Sequence, residues 1–380
     1  MDYLAKVFAQ TVPLIAVILL QFGFAGMAII TKFALNQGLS QHVLVVYRHA
    51  IATLLIAPFA IVLDRKIRPK MTLSIFIKIL LLGLLEPVLD QNLFYGGMKY
   101  TSATFTSAMC NVLPAFAFVF AWIFKLEKVD IRKRRSQAKI IGTVVTVGGA
   151  MLLTFMYGPK LKLPWTSSNH HQISSTAGAQ QHPLRGALMI TLGCFCWASF
   201  IVLQAITLKS YPAELSLTAL ICLTGTIGGS VVALAADAGD ASVWYIHLDS
   251  KLLAVVYGGV ICSGLAYYVQ GMILRSRGPV FVTAFNPLST VIVAILSSFI
   301  LSETLYLGRV IGAIVIVIGL YMVLWGKSQD QPLSDLSIET EESNDLKAIS
   351  AIDGITKVSN QELVVLDLAS SKVTPTDEYV

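Results

Sequence analysis

The sequence predicts an all-α polytopic membrane protein with ten transmembrane helices arranged as two inverted five-helix repeats, and three observations carry that prediction. The 380-residue chain is 55% hydrophobic and only 13% charged, roughly half the charged fraction of a soluble domain. Apolar runs long enough to cross a hydrocarbon core of about 30 Å recur along most of its length. Stretches of the first half return, in order, in the second.

Read with a window of about 19 residues, the runs fall near 12–31, 44–63, 74–97, 102–124 and 138–156, then near 185–207, 215–235, 251–272, 279–301 and 306–325. Strand-like alternation is absent, which leaves helices as the spanning structure. The first run is long and weakly flanked by charge, so it reads as a retained signal anchor behind a short cytosolic N-terminus, residues 1–11. Residues 12–156 and 185–325 form the two five-helix units. An extracytosolic loop, 157–184, separates them, and a disordered acidic cytosolic tail, 326–380, follows.

Charge sets the orientation. With the N-terminus inside, sixteen lysines and arginines fall on the inner side, among them Arg65, Lys66, Arg68 and Lys70 and the cluster Arg132 to Arg135, against seven outside. The positive-inside rule therefore places both termini in the cytosol. The net charge of +6 conceals a tail of eleven acids and four bases. The basic loop KVDIRKRRSQAK is explained by topology and anionic lipid, so the bilayer is the partner expected there and nucleic acid is not.

The repeat is legible without gaps in one place: KIIGTVVTVGG, Lys139 to Gly149, aligns with RVIGAIVIVIG, Arg309 to Gly319. Asn111 with Pro114 falls beside Asn286 with Pro287, Glu127 beside Glu303, and Gly96 beside Gly271. Five spans per unit is an odd number, so the second unit enters the membrane from the opposite side. Such inverted pairs belong to carriers, with a site near the midplane.

Chemistry concentrates in LLEPVLDQNLFYGG, Leu84 to Gly97. At about 100° per residue, Gly83, Glu86, Asp90 and Gly97 share one helix stripe, and small residues there let another backbone approach. A carboxylate in hydrocarbon costs at least about 2.5 kcal/mol, so the acids face the bundle or a cavity. Three readings stand: an ion pair of Asp90 with Arg48, recognition of a substrate ammonium, or a proton-coupling site. Gln91 and Asn92 flank the stripe and Tyr95 lies a turn above; amides hold a zwitterion, or bond between helices, without the desolvation cost of a charge.

Asn111 and Asn286, each near a proline that breaks its helix, are candidates to line the site. Gln21 in QFGFAG, Trp197 in CFCWASF, and Tyr267, Tyr268 and Gln270 in AYYVQG complete the substrate-binding candidates, aromatic packing being the alternative for the rings. The five cysteines fall within predicted spans and read as small packing residues; Cys194 and Cys196 point about 200° apart on a helix, poor geometry for a disulfide or metal. His170, His171 and His182 in the outer loop have no acidic or thiol companions, so neither a metal nor another cofactor is expected.

QFGFAGMAI, YRHAIATLLIAPFA, DRKIRPKMT, LEPVLDQNLFYGGMKYTSATFTSAMCNVLPAFAF, LEKV and YGP together resemble the plant nodulin-21-like, Walls-Are-Thin-related transporters, which carry two EamA domains and belong to the drug/metabolite transporter superfamily. The resemblance covers roughly residues 10 to 325. It implies ten helices in two inverted EamA-type repeats, a central cavity between the first, third and fourth helices of each unit, and amino-acid transport without ATP. It supplies no agreed set of binding residues.

The expected function is therefore bidirectional, export-leaning facilitation of amino-acid transport by alternating access. Export of auxin or another small organic anion is the alternative, and an integral membrane enzyme or a non-transporting receptor or scaffold the remote ones. Intramembrane acids favour a substrate with an amine, and the shortage of midspan histidines, His49 lying at the edge of its run, argues against enzyme chemistry. No acidic dileucine signal stands in either terminus, which favours the plasma membrane over the vacuolar membrane.

Overall fold

The computed structural model describes residues 2–101, 103–127, 132–155, 183–237, 241–246, 249–300 and 307–328, and every regular element among them is helical. The three loop histidines, Glu303 and the tail beyond residue 328 lie outside the described residues.

Helices α1 (Asp2–Asn36) and α2 (Gln41–Leu63) are joined at Gly38, whose φ of 88° is left-handed backbone that glycine adopts without steric cost. The first helix starts at Asp2, earlier than the apolar run alone indicates. Next comes α3 (Leu73–Gly83), its N-terminus capped by the Thr72 hydroxyl, which accepts from the Ile75 amide at 3.3 Å. It passes into a π-helical segment, Leu84–Asp90, and on into α4 (Gln91–Lys99).

Pro87 favours that segment locally, although the π segment of the second half, Gly258–Leu265, forms without a proline. Pro87 lacks an amide hydrogen and its ring crowds the carbonyl one turn back. The chain responds with a wider turn in which the Gln91 amide donates to the Glu86 carbonyl, five residues earlier.

The fourth run is broken, as its Asn and Pro suggest: α5 (Ala103–Met109), a 3₁₀ turn at Cys110–Val112, then α6 (Leu113–Ile123). The half closes with α7 (Arg134–Phe155). The second half follows the same plan. It runs through α8 (Pro183–Ser210), α9 (Glu214–Ala236), α10 (Ser250–Tyr257), a second π segment at Gly258–Leu265, and α11 (Ala266–Arg277). Gly278, at φ 80°, turns the chain into α12 (Pro279–Ala284), after which α13 (Asn286–Ile300) and α14 (Leu307–Ser328) complete it.

Among the described residues seven helical stretches are long and apolar enough to cross a membrane: Thr11–Asn36, Gln41–Lys66, Ala103–Ile123, Leu184–Ser210, Glu214–Ala236, Ser250–Arg277 and Pro279–Ile300. The other three expected runs are also helical, but apolar length does not by itself qualify them. The α3 to α4 stretch carries Lys78, Glu86, Asp90 and Lys99; α7 opens on basic residues; and the apolar part of α14 is the shorter Val310–Gly326.

Packing interleaves the halves. Helix α2 lies along α9; α4 lies on α8 while α1 lies on α11; α6 lies on α8 while α1 lies on α13. Exchanging the halves maps these pairings onto one another, the signature of a pseudo-twofold relation. The duplicated glycine stretches meet each other. A methyl on Gly142 of α7 would stand 2.8 Å from the Gly319 carbonyl oxygen, and one on Gly319 of α14 would stand 2.6 Å from the Thr146 amide.

Two apolar clusters close the bundle along its length. One gathers Leu20, Ile79, Leu82, Phe200, Tyr211, Leu217 and Phe285; the other gathers Met27, Leu35, Leu44, Tyr95, Met98, Val255 and Val293. Helices of both halves contribute to each cluster.

Candidate functional site

The wide turn at Pro87 decides which side chains meet. In a regular helix Asp90 would sit one turn above Glu86. In the π segment that place belongs to Gln91, whose Nε2 donates to Glu86 Oε1 at 2.7 Å. Tyr267 of α11 donates its hydroxyl to the other carboxylate oxygen, Oε2, and stands 3.4 Å from Gln91 Nε2. Glu86 is thus held by one donor from its own helix and one from the opposite half, and it is 4% exposed.

Arg48 of α2 reaches into the same layer. Its Nη1 donates to Gln91 Oε1 at 3.0 Å and to the Tyr95 hydroxyl at 2.6 Å, and its Nε donates to Ser263 Oγ, in the second π segment, at 2.7 Å. Glycines make that approach feasible. A methyl on Gly258 would stand 3.0 Å from Arg48 Cδ, and one on Gly259 would stand 2.8 Å from the Arg48 carbonyl oxygen.

Of the three readings, the direct ion pair of Arg48 with Asp90 is absent from the structure. The guanidinium bonds to three neutral acceptors, and Asp90 is not among its partners. The widened turn carries Asp90 toward α8 instead, where a methyl on Gly193 would stand 2.9 Å from Asp90 Oδ1. Helix α8 presents bare backbone there, so Asp90 Oδ1 is buried without a hydrogen-bond partner. A buried carboxylate left without a donor costs several kcal/mol unless a proton or a partner neutralises it.

A cavity of about 780 Å³, counting its solvent-open part, runs through this layer and is lined by Arg48, Glu86, Asp90, Gln91, Tyr95, Trp197, Tyr267, Gln270 and Asn286 among the predicted residues. Phe24, Met27, Phe94, Cys110, Cys262, Ser289 and Thr290 also contribute. Trp197 meets Phe24 edge to face, with ring centroids 6.0 Å apart, forming an apolar part of the lining. Gln270 donates to Gln204 Oε1 at 3.0 Å.

Four predicted residues fall outside the cavity lining. Asn92 accepts from His42 Nδ1 at 2.6 Å and donates to the Val88 carbonyl at 2.7 Å, so it ties α4 to α2. Asn111 bonds to Thr290 Oγ1 at 2.9 Å and to carbonyls of its own helix. Together with Asn286, which donates to the Cys110 carbonyl at 2.9 Å, it pins the two broken helices to each other. Gln21 is buried with its side-chain oxygen unpartnered, and Tyr268 is half-buried. Gly83 and Gly97 do admit close neighbours, Thr224 of α9 and Ile190 of α8 respectively.

Sequence reasoning set His49 aside as an edge residue. In the structure it is fully buried, with Nε2 3.9 Å from Glu86 Oε2. The signal was present: an ionisable residue within an apolar run, next to Arg48, marks a functional position by default. Cys110 and Cys262, read as packing residues, are free and buried, and both also line the cavity.

A helical bundle whose halves exchange partners about a buried, charged cavity defines a polytopic membrane protein of the carrier class. A sequence profile of the EamA-like transporter family matches residues 11–155 and again residues 184–325. The chain belongs to the EamA-like transporter family. It is 68% identical over 326 residues to WAT1-related protein At2g39510 of Arabidopsis thaliana, spanning 86% of this chain and 87% of that one. It is 58% identical over 321 residues to WAT1-related protein At2g37460 of the same plant, spanning 84% and 83%. A solved crystal structure shares the fold, with a TM-score of 0.58 over 84% of this chain and 98% of that one, at 14% identity.

Proposed function

We propose that this transporter carries amino acids by alternating access, as a bidirectional and export-leaning facilitator at the plasma membrane, and that the zwitterion lies between Arg48 and Asp90. The observation that carries the proposal is the pairing of unsatisfied groups of opposite sign on one cavity. Asp90 Oδ1 is buried without a donor, and Arg48 Nη2 takes no part in the guanidinium's hydrogen bonds. An α-ammonium on Asp90 and an α-carboxylate on Arg48 satisfy both as charge-assisted hydrogen bonds. The wall of Phe24, Trp197 and Phe94 receives the side chain.

An organic anion such as indole acetate matches Arg48 and the aromatic wall but brings no cation to Asp90, and that difference supplies the test. Oocytes expressing the protein are loaded with a labelled amino-acid mixture and indole acetate, and efflux of each is followed. Amino acids are expected to leave, and Asp90→Asn is expected to cut their efflux at least about tenfold at equal surface expression. Efflux of indole acetate alone, indifferent to D90N, would replace this reading with the anion exporter. A fluorescent fusion in plant cells sorts plasma membrane from vacuolar membrane.

A further inference from the structure

His49 stands one layer behind the cavity wall. Its Nδ1 hydrogen donates to the Val45 carbonyl of its own helix at 2.8 Å, which fixes the neutral ring with Nε2 as the bare nitrogen. That nitrogen is buried and has no hydrogen-bond partner, and the group it faces is Glu86 Oε2 at 3.9 Å. A lone pair facing a carboxylate oxygen is an arrangement that a single added proton converts from repulsion to attraction.

The surroundings leave that place to a proton. From the third run come Glu86, Asp90 and Tyr95; from the eighth, Tyr267, whose ring centroid is 6.4 Å from that of His49, and Cys262; from α9, Cys222; and from α2 itself, Arg48. On the α9 side the ring meets bare backbone, a methyl on Gly225 standing 3.6 Å from His49 Cδ2. The charged residues lining the cavity are Arg48, Glu86 and Asp90, which leaves one negative charge in excess. A zwitterion adds none.

We infer that His49 and Glu86 form a proton-binding site distinct from Asp90, coupled to the substrate position through Arg48. The inference rests on the amino-acid reading above. When a substrate carboxylate engages Arg48, the guanidinium compensates Glu86 less, and a proton held between Glu86 Oε2 and His49 Nε2 restores the balance. By reciprocity the proton tightens substrate binding as much as the substrate tightens proton binding. The sign is diagnostic. Proton uptake at His49 and Glu86 strengthens binding as pH falls, whereas protonation of Asp90 weakens it by removing the partner of the ammonium.

The test is binding of the labelled amino-acid mixture to the purified full-length protein in detergent at about pH 5.5 and about pH 7.5, an interval in which the amino acids stay zwitterionic. A dye in weak buffer reads protons taken up on binding. Affinity is expected to be higher at the lower pH, with a limit of about tenfold per unit for one linked proton, and the dye is expected to report uptake. Glu86→Gln, which imitates the neutral acid, and His49→Gln are each expected to reduce the pH ratio to within about twofold and to abolish uptake. Binding that is equal at both pH values, or a wild-type ratio kept by whichever variants fold, overturns the proton site alone. Absence of amino-acid binding at either pH overturns the amino-acid reading and the coupling with it.

Discussion

The two π segments occupy corresponding places in the two halves, and they have diverged in what they supply. LLEPVLD, Leu84–Asp90, brings Glu86 and Asp90; GGVICSGL, Gly258–Leu265, brings no charge. Its glycines instead admit the α2 backbone, and Ser263 gives Arg48 an acceptor. Duplication preserved the widened turn, and one copy became the source of charge while the other became the space into which the counter-charge fits. An inverted repeat can therefore keep its mechanical symmetry while its binding site becomes one-sided.

That contrast can be broken first at the spacious copy. Gly259→Val places side-chain atoms where Cβ already stands 2.8 Å from both the Arg48 carbonyl oxygen and Ile51 Cβ. Overpacking against backbone is expected to cost about 1–3 kcal/mol or more, read as a lowered thermal unfolding midpoint and loss of transport. Next in size is Pro87→Ala. Restoring the missing amide favours ordinary helical register, which returns Asp90 toward the Glu86 stripe and takes Gln91 off Glu86. Efflux is expected to fall by about tenfold, the equivalent of about 1.4 kcal/mol, with the protein still folded; unchanged efflux would show that the widened turn is incidental. The smallest effect belongs to Asn92→Ala. Losing its two hydrogen bonds is expected to cost about 1 kcal/mol in stability, with efflux per folded molecule unchanged, and a selective loss of efflux would return Asn92 to the site.

Much of this arrangement was readable from the residues. Hydropathy placed the helices, the paired asparagines and prolines announced the broken fourth run of each half, and Glu86, Asp90, Gln91, Tyr95 and Arg48 stood among the candidates, which the structure brings onto one cavity. The geometry among them was not readable. A stripe argument assumes 3.6 residues per turn, and Pro87 suspends that assumption within the segment that matters. Hence Gln91 meets Glu86, and Asp90 is left for a ligand. Nor does periodicity show contacts between halves: Ser263 and Tyr267 lie 215 and 181 residues from Arg48 and Glu86, the groups they bond. His49 was missed because its position along the run was weighed and its burial was not.

The crossing of α7 with α14 bears on assembly. Duplicated glycine stretches, one from each half, pack against each other at Gly142, Gly149 and Gly319, so this surface between the halves is self-complementary. A single half carrying that surface is expected to pair with a second copy of itself. Separately translated halves are likewise expected to recognise one another in the bilayer.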